Sequence, residues 1–183
     1  MPAVIRTPRS AWIEAGLRAI ATEGPRAVRV EKLAAQLGVT KGGFYGFFAD
    51  RDALLQELLD EWERRSTDDV LSRVEAEGGD AAVKIRRAGA LTFSADLLPL
   101  DLAVRAWARY DSDVATRLRR VDNKRIDYLR SLFATFVSDP DEVEARSVLA
   151  FCLVIGQHFL ATDHGGRSRN EAVALAAARL LAG

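Results

Sequence analysis

Cysteine is almost absent: Cys152 stands alone in 183 residues. No internal disulfide can form, which fits a reducing cytoplasm. Long apolar runs are missing too. The longest, residues 148–156, falls well short of the roughly 20 needed to cross a bilayer. The N-terminus lacks a charged segment followed by an apolar one, so no signal peptide is expected. There is no charge of one dominant sign: 26 Lys and Arg balance 26 Asp and Glu, which excludes a uniformly basic nucleic-acid glue. Strand-like alternation, internal repeats and low-complexity tracts are also lacking. So are a glycine-rich phosphate loop after a strand and a Gly-x-Ser-x-Gly elbow. The only two histidines, His158 and His164, do not have the i, i+4 spacing of a helical metal pair. Cys152 and His158, six apart, point to different sides of a helix. Cys152 reads as a small core hydrophobe, and His158 as a structural histidine or one lining a cavity or dimer seam. No enzyme, metal or cofactor is expected.

What is present is helical. Residues 37–55 carry the most information. Gly38 can stop a helix in the left-handed conformation, and Thr40 can cap a second short helix over about residues 41–47. Phe44, Phe47 and Phe48 fall at i, i+3, i+4, giving one buried aromatic face. The opposite face carries Lys41, Gly42, Gly43, Tyr45 and Gly46. Each glycine costs roughly 0.8–1.0 kcal/mol of helix propensity relative to alanine. Core packing gives no reason for that on an exposed face, whereas close approach of another molecule does. The pattern reads as a helix-turn-helix; a glycine-rich loop between two ordinary helices is the plainer alternative. Residues 1–52 hold eight basic and five acidic side chains, a mild local excess suited to phosphates.

Along the chain, Thr7-Pro8 predicts a capped helix start, with Ile13, Leu17 and Ile20 inward and Glu23-Gly24-Pro25 as the stop. A second helix spans about residues 30–37. Its exposed start bears Arg29, Glu31 and Lys32, and basic side chains at a helix N-terminus suit a phosphate. Glu31 either favours the helix dipole or accepts from a cytosine amine. Asp50 caps a long helix to about residue 76, with Leu54, Leu55, Leu58, Leu59 and Trp62 as its stripe. Asp80 caps the next helix, Leu97-Leu98-Pro99 marks a break, and a short helix holds Trp107. A helix over about residues 113–137 carries Arg117, Arg119, Arg120, Arg125 and Arg130 as a solvated, salt-bridged face. Asp139-Pro140 starts a helix that Gly165-Gly166 ends, and Ser168 with Glu171 forms a capping box for the last. The fold class is all-α with about nine helices. The expected domains are 1–50, the helix-turn-helix head, and 51–183, a helical body, with the long helix bridging.

The run Leu37-Gly38-Val39-Thr40-Lys41-Gly42-Gly43-Phe44-Tyr45, followed by Phe48 and Asp50-Arg51-Asp52-Ala53-Leu54-Leu55, resembles the DNA-binding segment of the TetR family of transcriptional regulators. The likeness reaches from about Arg9 to Trp62. It departs at Gly46, where the family often has a bulky aromatic, and at Phe47, where it often has a phosphate-holding histidine. The resemblance implies a homodimer on a palindromic operator in double-stranded DNA, with Thr40, Tyr45 and Arg51 at the phosphates and Arg6 or Arg9 near the backbone. Lys41 is the candidate for reading a guanine edge, while Gly42, Gly43 and Gly46 allow close approach. The resemblance further implies that the last two helices pair with a symmetry mate, and that a small-molecule effector pocket lies in the body. Phe93, Trp107, Tyr110, Phe151 and His158 are its candidate lining, as aromatic or polar residues amid apolar helices. The expected function is a sequence-specific DNA-binding transcriptional regulator, a cytoplasmic, ligand-responsive repressor. The alternative is a helical ligand-binding and dimerisation protein with a weakened DNA-binding head, which Gly46 and Phe47 keep open.

Overall fold

The computed structural model describes residues 7–182. Among them it has nine α-helices and no strand: α1 (Arg9–Glu23), α2 (Val30–Gln36), α3 (Arg51–Arg64), α4 (Val70–Glu77), α5 (Ala81–Thr92), α6 (Leu98–Ala108), α7 (Ser112–Phe133), α8 (Pro140–Gly156) and α9 (Arg169–Leu181). No helix among the described residues is long and apolar enough to cross a membrane. Packing divides the chain into two compact units, one of residues 1–66 with 95–119 and one of residues 67–94 with 120–183.

In the first unit α1 packs on α2, α3 and α6. Its core holds Trp12, Leu17, Ile20, Leu33, Phe44, Leu54, Leu58 and Trp62, all buried. At roughly 1.5–3 kcal/mol per large apolar side chain, this is the dominant stabilisation of the unit. Polar ties add direction. Arg65 donates through Nε to Glu61 at 2.6 Å, and its guanidinium also pairs with Glu14 on α1. The Glu61 carboxyl, hydrogen-bonded by Arg64 and Arg65, is held down to about 2 against the opposing effect of burial. In the second unit Ile85, Leu129, Leu132, Phe133 and Ala150 form the core, with Ile126, Val143, Phe151, Leu180 and Leu181 packed against it.

Side-chain caps occur where Asp or Ser precedes a helix. Asp50 accepts from the Ala53 N–H at 2.8 Å, Asp80 from Val83 at 2.8 Å and Asp139 from Asp141 at 3.0 Å. Ser168 and Glu171 form the full capping box. Two expected caps are corrected. Pro8 rather than Thr7 is the residue before α1, with no side-chain cap. Thr40 makes no side-chain cap either: its carbonyl already accepts from the Gly43 N–H at 3.1 Å, the donor that a capping hydroxyl would take.

Three element boundaries also differ from expectation. The short helix after Thr40 is a 3-10 turn, Lys41–Gly46, since six residues with three glycines do not sustain α-helix. The long helix is not continuous: a π turn at Arg65–Asp69 separates α3 from α4, shifting the phase at which Val70 and Val74 are buried. α8 ends at Gly156, well before Gly165-Gly166. Those two glycines have φ of 59° and 84° and turn the chain where His164 bridges to Arg167. Cys152 is exposed, so it is not the core residue expected.

Candidate nucleic-acid interface

The helix-turn-helix is built inward from aromatic rings. Phe44 is fully buried; it meets Trp12 edge-on at 5.4 Å and stacks on Phe48 at 5.1 Å. Such pairs add about 0.5–1.5 kcal/mol each beyond the area they bury. That anchoring offsets the propensity lost at the glycines and holds a turn that would not persist alone. Phe47, expected on the same buried face, is only partly buried, because the tighter turn rotates it away from that core. The reversal before the turn depends on Gly38, whose φ of 66° is strained for any residue with a Cβ.

The outer face is formed by the start of α2 and the 3-10 turn. Arg29 precedes α2 and is exposed. Thr40, Lys41, Gly42 and Gly46 are exposed, and Gly43 is partly so. Tyr45 is 58% exposed, its ring edge-on to Phe44 at 5.3 Å. Lys41 Nζ lies 3.7 Å from the Glu31 carboxylate. Lys32 points elsewhere, donating to Glu23 at 2.5 Å. Arg51 donates through Nε to the Val28 carbonyl at 2.6 Å and through Nη2 to the Pro25 carbonyl at 2.8 Å. It therefore ties the start of α3 to the turn before α2, a bracing role that spacing did not reveal. Arg9 pairs with Glu57 and lies 5.1 Å over the Phe48 ring; Arg6 lies outside the described residues.

Neither Gly42 nor Gly43 has a positive φ. A Cβ on Gly42 would meet only Thr40 Oγ1, at 3.6 Å, and one on Gly43 would meet nothing within 4 Å. Nothing inside the chain requires glycine at either position.

Residues 13–58 match the family description "Bacterial regulatory proteins, tetR family". Solved structures share the fold over nearly the whole chain. A TetR-family regulator from Streptomyces coelicolor superposes with a TM-score of 0.75 at 16% identity, over 94% of this chain and 93% of that one. One from Rhodococcus sp. gives 0.64 at 24% identity, over 94% and 95%. AibR, solved in complex with isovaleryl coenzyme A and operator DNA, gives 0.66 at 16% identity, over 93% and 96%. Residues 13–58 are thus a tetR-family segment, and the chain has the fold of TetR-family structures. Among curated proteins nothing matches. The chain thus carries the fold of TetR-family transcriptional regulators over nearly its whole length.

The five candidate effector residues do not form one group. Trp107 and Tyr110 line a cavity of about 1120 Å³ in the first unit, with Pro25, Arg51, Pro99 and Asp111 among its walls. Trp107 donates its indole N–H to Asp111 at 3.1 Å, and Tyr110 is 87% exposed. Phe93 and Phe151 line a separate cavity of about 40 Å³ in the second unit, together with Leu71, Ile85, Thr92 and Tyr128. His158 stands beside Phe93 at 6.1 Å. Its Nε2 is buried without a hydrogen-bond partner, and burial, with Arg169 nearby, holds its pKa below the usual value.

Arg125 corrects the expected solvated arginine face. It is 5% exposed, lines the smaller cavity, lies 5.7 Å over the Phe93 ring and reaches Asp122 at 3.4 Å. A signal was available: Arg125 falls four residues after Val121 and four before Leu129, on the same helical stripe. No group of His, Cys, Asp and Glu among the described residues can hold a metal.

Proposed function

We propose that this protein is a ligand-responsive repressor that binds a palindromic operator as a homodimer. Residues 1–50 act as the DNA-binding head and residues 51–183 as the ligand-binding and dimerisation body. The observation that carries the reading is the pair Gly42 and Gly43, which no contact inside the chain explains. A backbone that must lie against another surface explains them. Lys41 donates to a guanine edge, and Tyr45 and Thr40 contact phosphates, while Arg51 braces the start of α3 against the turn before α2. Arg29 adds positive charge at the start of α2, and Gly46 extends the smooth face.

One such head spans too few base pairs for specificity, so a twofold pair reading two half-sites follows. The surface suited to pairing is on α8 and α9: Leu149 is 54% and Leu175 57% exposed, and α9 buries no residue in the single chain. That AibR was solved with both operator DNA and an acyl coenzyme A supports a small-molecule effector here. The cavity beside Phe93 and Phe151 is small, about 40 Å³. An effector entering it must part its walls, and a ligand with unequal affinity for the two arrangements shifts their populations.

The test is selection from random duplex DNA by the purified protein at two salt concentrations. A palindromic consensus whose affinity falls steeply with salt, with a slope near −0.9 per neutralised phosphate, is the expected result. No enriched sequence at low salt would leave the protein a helical ligand-binding dimer without operator recognition.

A further inference from the structure

Two side chains of opposite charge stand side by side on the outer face of the head. Glu31 is in the first turn of α2, and Lys41 opens the 3-10 turn. Both are largely exposed, and the ammonium is 3.7 Å from the carboxylate. An exposed pair of this kind contributes little to folding. A carboxylate on a face turned towards DNA is also unfavourable beside phosphates unless it gains a donor there.

The major-groove edge of a G·C pair offers that donor. Guanine presents O6 and N7 as acceptors, and cytosine presents its N4 amine as a donor. Guanine O6 and cytosine N4 are hydrogen-bonded to each other, so they lie about 3 Å apart. An ammonium and a carboxylate at nearly the same separation present the complementary polarity. An A·T pair suits the two less well, since guanine gives lysine two adjacent acceptors and thymine adds a methyl group at the edge.

We propose that Glu31 and Lys41 act together as one reader of a single G·C pair in each half-site. Lys41 donates to guanine O6 and N7, and Glu31 accepts from cytosine N4. This rests on the DNA-binding function proposed above and assigns its specificity to a pair of residues on two different elements.

The experiment repeats the duplex selection with the wild type, Glu31→Gln, Lys41→Met and the double variant, each checked for an unchanged melting temperature. The wild type should require G·C at one half-site position. Each single substitution should relax that same position, with discrimination falling roughly ten- to a hundredfold, and the double variant should relax it no further than the worse single. Relaxation at two different positions would overturn the joint reading, as would a Glu31→Gln variant that binds every sequence more tightly with its base preferences intact. In either case the wild-type palindrome would leave the DNA-binding function standing. A wild type that enriches no site would refute both.

Discussion

The head and the α8–α9 pair treat apolar residues in opposite ways. The head seals its rings inside: Trp12, Phe44 and Trp62 are fully buried, while glycine, lysine and tyrosine face outward. The pair leaves apolar residues outside: Val148, Leu149 and Leu175 are all exposed. A polar, glycine-smoothed face suits a charged polymer that approaches the backbone closely. An apolar face on two adjacent helices suits a surface of the same kind. One chain therefore carries two unfinished faces with different chemistry.

The largest effect is expected at the apolar face. Leu149→Glu combined with Leu175→Glu should convert a dimer to a monomer in sedimentation. It should also lower affinity for a palindromic duplex by roughly a hundredfold or more, through loss of the linked second head. A dimer that survives both changes would place the interface elsewhere.

Gly43→Ala comes next and sets the two faces apart most sharply. Alanine is favoured over glycine by roughly 0.5–1 kcal/mol in helical backbone, and the added Cβ meets nothing inside the chain. Melting temperature should hold or rise while operator affinity drops about tenfold or more, measured by fluorescence anisotropy. Unchanged affinity would remove the reason given for the glycines.

Tyr45→Ala and Lys41→Ala should differ in kind. The first should weaken binding to all sequences to a similar degree, the second should relax choice at one base pair, each by roughly 1–3 kcal/mol. Equal losses on every duplex from both variants would dismiss that division.

The smallest expected effect is in the second unit. Burial lowers the pKa of His158 in the folded chain, so between that lowered value and the ordinary 6.5 or so the unfolded chain binds more protons. Stability should therefore fall as pH drops through the ordinary histidine range. His158→Gln should flatten that part of a melting-temperature profile, and an unaltered profile would show that another group is responsible.

Much of this was legible in residue order because it is local chemistry. The caps at Asp50, Asp80, Asp139 and Ser168 need only a short oxygen-bearing side chain ahead of free N–H groups. Helical spacing also marks Phe44 and Phe48 as buried, but it places Phe47 with them, and the 3-10 turn leaves Phe47 only partly buried. What escaped depends on how elements meet. The apolar run of α8 continues to Phe159 and Leu160, but both are exposed, and hydrophobicity alone does not record where a helix stops. Phe93 and Trp107 look alike as candidate pocket residues, yet they belong to different compact units. Arg51 has the charge for a phosphate, but charge does not reveal that two backbone carbonyls already receive its fork.

The three tryptophans of the chain divide by solvent access. Trp12 and Trp62 are sealed, while Trp107 is only partly buried on the wall of the larger cavity. Excited at the same wavelength, the sealed pair should emit towards the blue and resist a dissolved quencher, whereas Trp107 should emit further to the red and yield to it. The protein thus carries an intrinsic optical probe of that one cavity, readable in the native chain without any label.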